Sequence, residues 1–276
     1  MTAPVEYVMA RSALIDALIA LRDHSSTIIL IGAQAVYEWT GEGELAVAVM
    51  TTDADLALDA NRLDPTPEIA APLTAHGFSR RPGGNPGQWL SSNDIAVDLM
   101  VSEHQAGKGR RSAKIPPHES FVARRGRGLA PALIDNELRT IEALSPRDFR
   151  RAQVLVASPA ALIVAKCIKI KERHEAMQAG EWNRIKAKDS LDIFRLLYAT
   201  ETAPLADRFM IHRSSPEADS ESREAISFLA TRSADTNSLL PQLAAHAADD
   251  DAGEVAESFV LLVEELLLRL QELDGQ

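Results

Sequence analysis

The stretch Thr51-Thr52-Asp53-Ala54-Asp55-Leu56-Ala57-Leu58 decides how the chain is read. In a strand, residues two apart point to one face, so Asp53 and Asp55 project side by side. The apolar residues around them place both carboxylates on the scaffold of a largely buried sheet. At roughly 4 Å, two carboxylates repel by about 4 kcal/mol even at an effective dielectric near 20. Such a pair needs a proton, a basic partner or a metal, and a hard divalent cation suits oxygen ligands.

Upstream, Thr27-Ile28-Ile29-Leu30-Ile31 is a continuous β-branched run that reads as a buried strand. Gly32 follows at once, and Ala33 to Trp39 reads as a short helix leaving that strand. Gly32 therefore falls at a strand-to-helix turn, where backbone N–H groups are free and a phosphate can approach closely. Before it, Leu14, Ile15, Leu18, Ile19 and Leu21 give residues 10–22 a helical apolar face.

Downstream, Val47 to Leu58 reads as the strand that carries the paired aspartates. Pro65 and Pro67 open a helix expected to run through Thr74, with Gly77 as its stop. Gln88 to Ser92 and Ile95 to Val101 read as strands around the turn Asn93-Asp94. Asp98 lies in the second, between Val97 and Leu99, where a charge needs a partner if it is to be buried. Residues 102–130, with Pro116 and Pro117, read as an insertion or long loop. Thr140 to Leu144 and Gln153 to Val156 are expected as strands at a sheet edge.

Ser158-Pro159 supplies an N-cap and a proline at the first helical position, starting a helix to about Met177. On it Lys166 and Arg173 are seven residues apart and share a face. Lys188-Asp189-Ser190-Leu191-Asp192 lies in another helix, with Asp189 and Asp192 on one face at i,i+3. As ordinary surface charges, the two aspartates would pair with Lys186 or Arg195, and Lys166 would snorkel. Residues 204–250 read as helices with loops, and Glu254 to Leu273 as a strongly amphipathic final helix that belongs to the core. The class is α+β: a mixed β-sheet flanked by helices over 1–157, with the basic insertion at about 102–130, then a mainly helical domain over 158–276.

With 276 residues and 46% hydrophobic content there is ample material for a packed core. Apolar runs are broken by Glu264, Glu265 and Arg269 well before the ~20 residues a membrane span needs. No secretion signal is visible at the start, and a lone Cys167 fits a reduced, half-buried thiol in a cytoplasmic protein. The formal charge of −11 argues against a general coat of nucleic acid, but it is unevenly spread. Residues 201–276 hold 16 Asp and Glu against 5 Arg and no Lys. Residues 101–130 instead hold Lys108, Arg110, Arg111, Lys114, Arg124, Arg125 and Arg127 against Glu103 and Glu119. That stretch is either a solvated loop or a landing strip for a polyanion. His104, His118, His174 and His212 have no metal-ligand spacing.

A strand, a glycine turn, a helix, a strand with Asp-x-Asp and a later strand with a third Asp form the set used in metal-dependent nucleotidyl transfer. The chain resembles the nucleotidyltransferase superfamily with the DNA polymerase β-like fold, and within it the AbiEii-type toxins. The resemblance is carried by Gly32, Thr52, Asp53, Asp55, Lys166, Arg173, Lys188, Asp189 and Asp192, over roughly residues 27–200. It implies two Mg²⁺ ions on Asp53, Asp55 and Asp98, and an NTP whose triphosphate lies against Gly32 and Ala33. It further implies that Lys166 and Arg173 contact the triphosphate, and that Asp189 orients the lysine and the nucleotide. The family transfers a nucleoside monophosphate to an acceptor hydroxyl. Relatives modify the 3′ end of tRNA and pair with an antitoxin. The usual Gly-Gly or Gly-Ser doublet is Gly32-Ala33 here, so a hydroxyl contact from the second position is missing. The rival readings are a non-catalytic nucleotide-binding module and a small-molecule nucleotidyltransferase of the antibiotic-modifying kind. An RNA acceptor would engage the basic stretch at 108–127.

Overall fold

A computed structural model describes residues 3–41, 51–107, 111–182, 184–248 and 252–275. Lys108, Arg110 and the expected start of a strand at Val47 lie outside the described residues. The chain divides into two compact units: Met1–Ala35 with Val49–Ala157, and Val36–Ala48 with Ser158–Gln276. Among the described residues no helix is long and apolar enough to cross a membrane.

The first unit is built on a mixed seven-stranded sheet. Its strands are β1 (Ile28–Ile31), β2 (Asp53–Leu58), β3 (Gln88–Leu90), β4 (Ala96–Ser102), β5 (Arg124–Gly126), β6 (Asn136–Glu142) and β7 (Arg151–Ala157). The order is β3-β4-β2-β1-β7-β6, with β5 also on β4. β1 runs antiparallel to β2 and parallel to β7, β2 runs parallel to β4, and β6 closes the far edge antiparallel to β7. β3 takes the first half of β4, Ala96 to Asp98, and β5 takes the second half, Met100 to Ser102. Gly87 makes this hand-over possible: at φ 77° its added Cβ would lie 2.3 Å from the Leu99 carbonyl oxygen and 2.6 Å from the Arg124 nitrogen.

Helix α1 (Val5–Ala20) packs on β2, β4 and β7, burying Leu14, Ile15 and Leu18. The expected helix from Pro65 shrinks to α3 (Ala70–Ala75). Each proline pushes the residue before it out of the helical region, so Asp64 and Thr66 delay the start until both prolines have passed. Gly77, at φ 83°, ends it as expected. The 102–130 stretch is not wholly a loop, since Arg124 and Arg125 lie in β5. Its three residues Arg-Arg-Gly carry no apolar alternation by which the strand could be recognised. β7 is an interior strand rather than an edge one, because β1 covers its other side. α4 (Ala130–Ile134) packs on β1 and β2.

α2 (Gly32–Thr40) leaves β1 and carries the chain from one unit to the other. The second unit is otherwise helical: α5 (Pro159–Gln178), α6 (Ala187–Ala199), α7 (Thr202–Ile211), α8 (Pro216–Arg232), α9 (Leu239–Ala248) and α10 (Ala252–Asp274). Ser158 caps α5 as its sequence predicts, its hydroxyl accepting from the Ala161 N–H at 3.1 Å. α5 packs on α6 and α8, while α9 fills between α6 and α10. α10 buries Val255, Phe259, Val263, Leu266 and Leu270, so its apolar stripe belongs to the core. Cys167 is fully buried rather than half-buried, and burial pushes its thiol well up, leaving it inert.

Candidate functional site

The parallel pairing of β2 with β4 sets Asp55 directly opposite Asp98 and Asp53 opposite Ala96. Paired residues point to the same side of a sheet, so Asp53, Asp55 and Asp98 stand on one face. Their alternates Ala54, Leu56, Val97 and Leu99 are buried on the other face, which fixes this register against a slip. All three carboxylates are half-buried.

Gly32 completes the constellation from β1. Ile31 is the register partner of Asp55, and the chain turns immediately afterwards with Gly32 at φ 72°. A Cβ added there would lie 2.2 Å from Asp55 Oδ2. Backbone and carboxylate are thus in a close approach that only glycine permits, which is more than a tight turn requires. Ala33 follows in the first turn of α2 and is buried.

Two residues that the sequence did not single out hold the start of β2. Gln34, almost fully enclosed, donates through Nε2 to the Asp53 carbonyl at 3.0 Å. Its Oε1 accepts from buried Arg11 Nε at 3.0 Å, and Arg11 also donates to the Tyr7 hydroxyl and the Glu142 carbonyl. A buried arginine on an apolar helix face was the available signal. Thr51, rather than the exposed Thr52, touches the site: its hydroxyl donates to Asp53 Oδ1 at 2.9 Å.

Asp98 has the partner that its burial demands. Arg124 Nη2 donates to Asp98 Oδ2 at 3.2 Å and lies 4.0 Å from Asp55 Oδ1, while Gln88 Nε2 is 3.5 Å from Asp98 Oδ1. Burial pushes the Asp98 carboxyl above the usual carboxylate range; Arg124 opposes this and the charge of Asp53 adds to it. Among the described residues, no group of three or more His, Cys, Asp or Glu side chains is arranged to hold a metal ion. The donors nonetheless fit one in kind. Three hard oxygen ligands stand on a rigid sheet, and a guanidinium stands in as the cation on two of them.

The residues expected to grip a triphosphate form their own cluster within the helical unit. Lys166 Nζ donates to Asp189 Oδ1 at 2.9 Å and to Asp192 Oδ2 at 2.5 Å, all three side chains being at most 6% exposed. The i,i+3 spacing does put both aspartates on one face, and they meet Lys166 rather than Lys186 or Arg195. Lys169 Nζ reaches Asp189 Oδ1 at 3.0 Å, and Arg173 Nη1 reaches Asp189 Oδ2 at 3.1 Å. Burial works against the charge on Lys166, but Asp192 and Asp189 overcome it and raise its pKa; burial likewise works against Asp189, yet Lys166 and Lys169 hold its pKa well down. Lys188 is half-buried on the first turn of α6.

The basic stretch is partly consumed by the fold. Arg125 donates to the Gly107 carbonyl, and Arg125 and Arg127 lie 3.8 and 3.3 Å from Glu103. Arg111 and Lys114 remain exposed. In comparisons with known proteins, no family model, no curated protein and no solved structure matches the chain.

Proposed function

We propose that the chain is a Mg²⁺-dependent nucleotidyltransferase that moves a nucleoside monophosphate from an NTP to an acceptor hydroxyl. The observation that carries the reading is the β2–β4 register, with Asp55 opposite Asp98, Asp53 on the same face and Gly32 pressed against Asp55. Asp53, Asp55 and Asp98 would hold the metal, which supplies charge neutralisation at the phosphates and lowers the pKa of the attacking hydroxyl. The N–H groups at Gly32 and Ala33, at the start of α2, favour an anionic phosphate. The acceptor oxygen bonds to the α-phosphorus, the bond to the bridging oxygen breaks, and pyrophosphate leaves. The hydroxyl proton would pass to a carboxylate of the cluster, with Asp98 the candidate acceptor. Lys166, Arg173, Lys188 and Asp189 belong to the helical unit, and the proposed reaction rests on the strand unit alone.

RNA, in particular a tRNA 3′ end, is the first acceptor to test, on the strength of exposed Arg111 and Lys114 within the 108–127 stretch and of the sequence resemblance. The same resemblance supports a toxin role with a protein antitoxin. Incubation with each α-labelled NTP, Mg²⁺ and total cellular RNA should label RNA, and full labelling by Asp53→Asn would overturn the assignment. One observation favours the non-catalytic reading: Arg124 already neutralises Asp98. That reading predicts NTP binding by calorimetry with no pyrophosphate released with any acceptor.

A further inference from the structure

Arg124 opens β5 opposite Met100, two residues along β4 from Asp98, and its side chain runs back along the same face to the carboxylates. Its hold there is slight. One nitrogen makes one hydrogen bond to Asp98 at 3.2 Å, the approach to Asp55 is 4.0 Å, and Nε is enclosed with no hydrogen-bond partner. A bidentate fork, the strong form of this pair, is not made. The side chain is 37% exposed, so it has room to leave. Its neighbours differ, since Arg125 and Arg127 are tied to Glu103 on the far part of the segment. β5 therefore places one loosely held cation on the two carboxylates that face each other across β2 and β4.

We propose that Arg124 is a resident counter-cation of the Asp55–Asp98 pair, which a divalent ion must displace, so that Arg124 sets the metal concentration at which the site fills. This rests on the metal-dependent reading above. The guanidinium offsets part of the negative charge of the sheet's acidic face without metal, and a doubly charged ion wins because the two carboxylates gain more from two charges than from one hydrogen bond to Asp98 and a 4.0 Å approach to Asp55.

Mn²⁺ titration of the full chain without nucleotide, read by loss of the free-ion paramagnetic resonance signal, tests this without recourse to activity. Arg124→Gln should bind Mn²⁺ about tenfold more tightly than the unaltered protein, whereas Arg124→Lys, which keeps the charge, should stay within about twofold. The metal-free Arg124→Gln protein should melt lower than the parent, and Mn²⁺ should raise its melting temperature by more. If Arg124→Gln binds Mn²⁺ equally or less tightly while Asp55→Asn loses binding, Arg124 is a brace, the counter-cation proposal fails and the metal reading stands. If neither the parent nor Arg124→Gln binds Mn²⁺, both fail. Should Arg124→Gln not fold, tighter binding by Arg124→Lys than by the parent would equally overturn the proposal.

Discussion

In the strand unit burial drives the Asp98 carboxyl up and Asp53 pushes it further, whereas in the helical unit Lys166 and Lys169 overcome burial and draw Asp189 down. Both clusters begin from two aspartates brought to one face by the period of their element, two residues apart on β2 and three apart on α6. They differ in what the fold puts between the carboxylates. The helical cluster encloses an ammonium with hydrogen bonds at 2.9 and 2.5 Å and shuts out water. The strand cluster stays half-exposed, with a guanidinium at its rim. A closed cluster has its charges already paired, and an open one of the same residue type leaves its carboxylates within reach of solvent.

The contrast can be broken from either side. Asp53→Asn keeps an acceptor for the Thr51 hydroxyl and removes one charge. It should lower nucleotidyl transfer about 10³-fold, because metal-borne charge stabilisation is worth several kcal/mol, while urea unfolding shifts by no more than about 0.5 kcal/mol. A large stability loss would make the strand cluster structural too. Lys166→Met should do the reverse, costing about 3–5 kcal/mol in urea unfolding by leaving two buried aspartates without their ammonium. A cost below about 1 kcal/mol would put it with surface pairs.

Gly32→Ala should cost about 2 kcal/mol from the positive φ alone or with partial relief of the clash. It should also impair transfer, since Asp55 must move away. A variant with parental melting and parental transfer would show that the approach to Asp55 is of no consequence. The smallest effect is on pH dependence. Asp189 is held below its unfolded value, so its stabilisation is complete above about pH 3.9 and is lost as pH falls below it. Lys166 is held above its unfolded value, so its share is complete below about pH 10.4 and is lost only above that. Asp189→Asn should therefore flatten the acid limb of stability below pH 4, by at most about 1.4 kcal/mol per pH unit, and lower stability by a constant amount across about pH 5–9. An unchanged acid limb would remove the asymmetry between the clusters.

Local chemistry carried the parts that were legible in the sequence. Gly32 after a β-branched run, Asp-x-Asp before Leu-Ala-Leu, and Ser-Pro ahead of α5 each announce themselves within a few residues, and each element formed there. What could not be read depends on pairing. Arg124 meets Asp98 only because β5 takes the second half of β4, and nothing in Arg-Arg-Gly signals a strand. Gln34 and Arg11 brace Asp53 through side chains far apart in the chain. The Lys166 cluster was legible as a set of charges, but its closure was not, because burial of a lysine follows from how α5 and α6 pack.

The place of β1 in the sheet also governs how the chain can be assembled on the ribosome. One side of β1 can pair with β2 soon after both emerge, but its other side is completed by β7, where Leu30 meets Val156. Until that later segment is made, for on the order of ten seconds at ordinary elongation rates, the apolar strand Ile28–Ile31 presents an open edge. A nascent chain stalled before residue 150 would expose a short, uncharged β-branched template for association. The strand that fixes Gly32 against Asp55 is therefore also one that needs protection while the protein is being made.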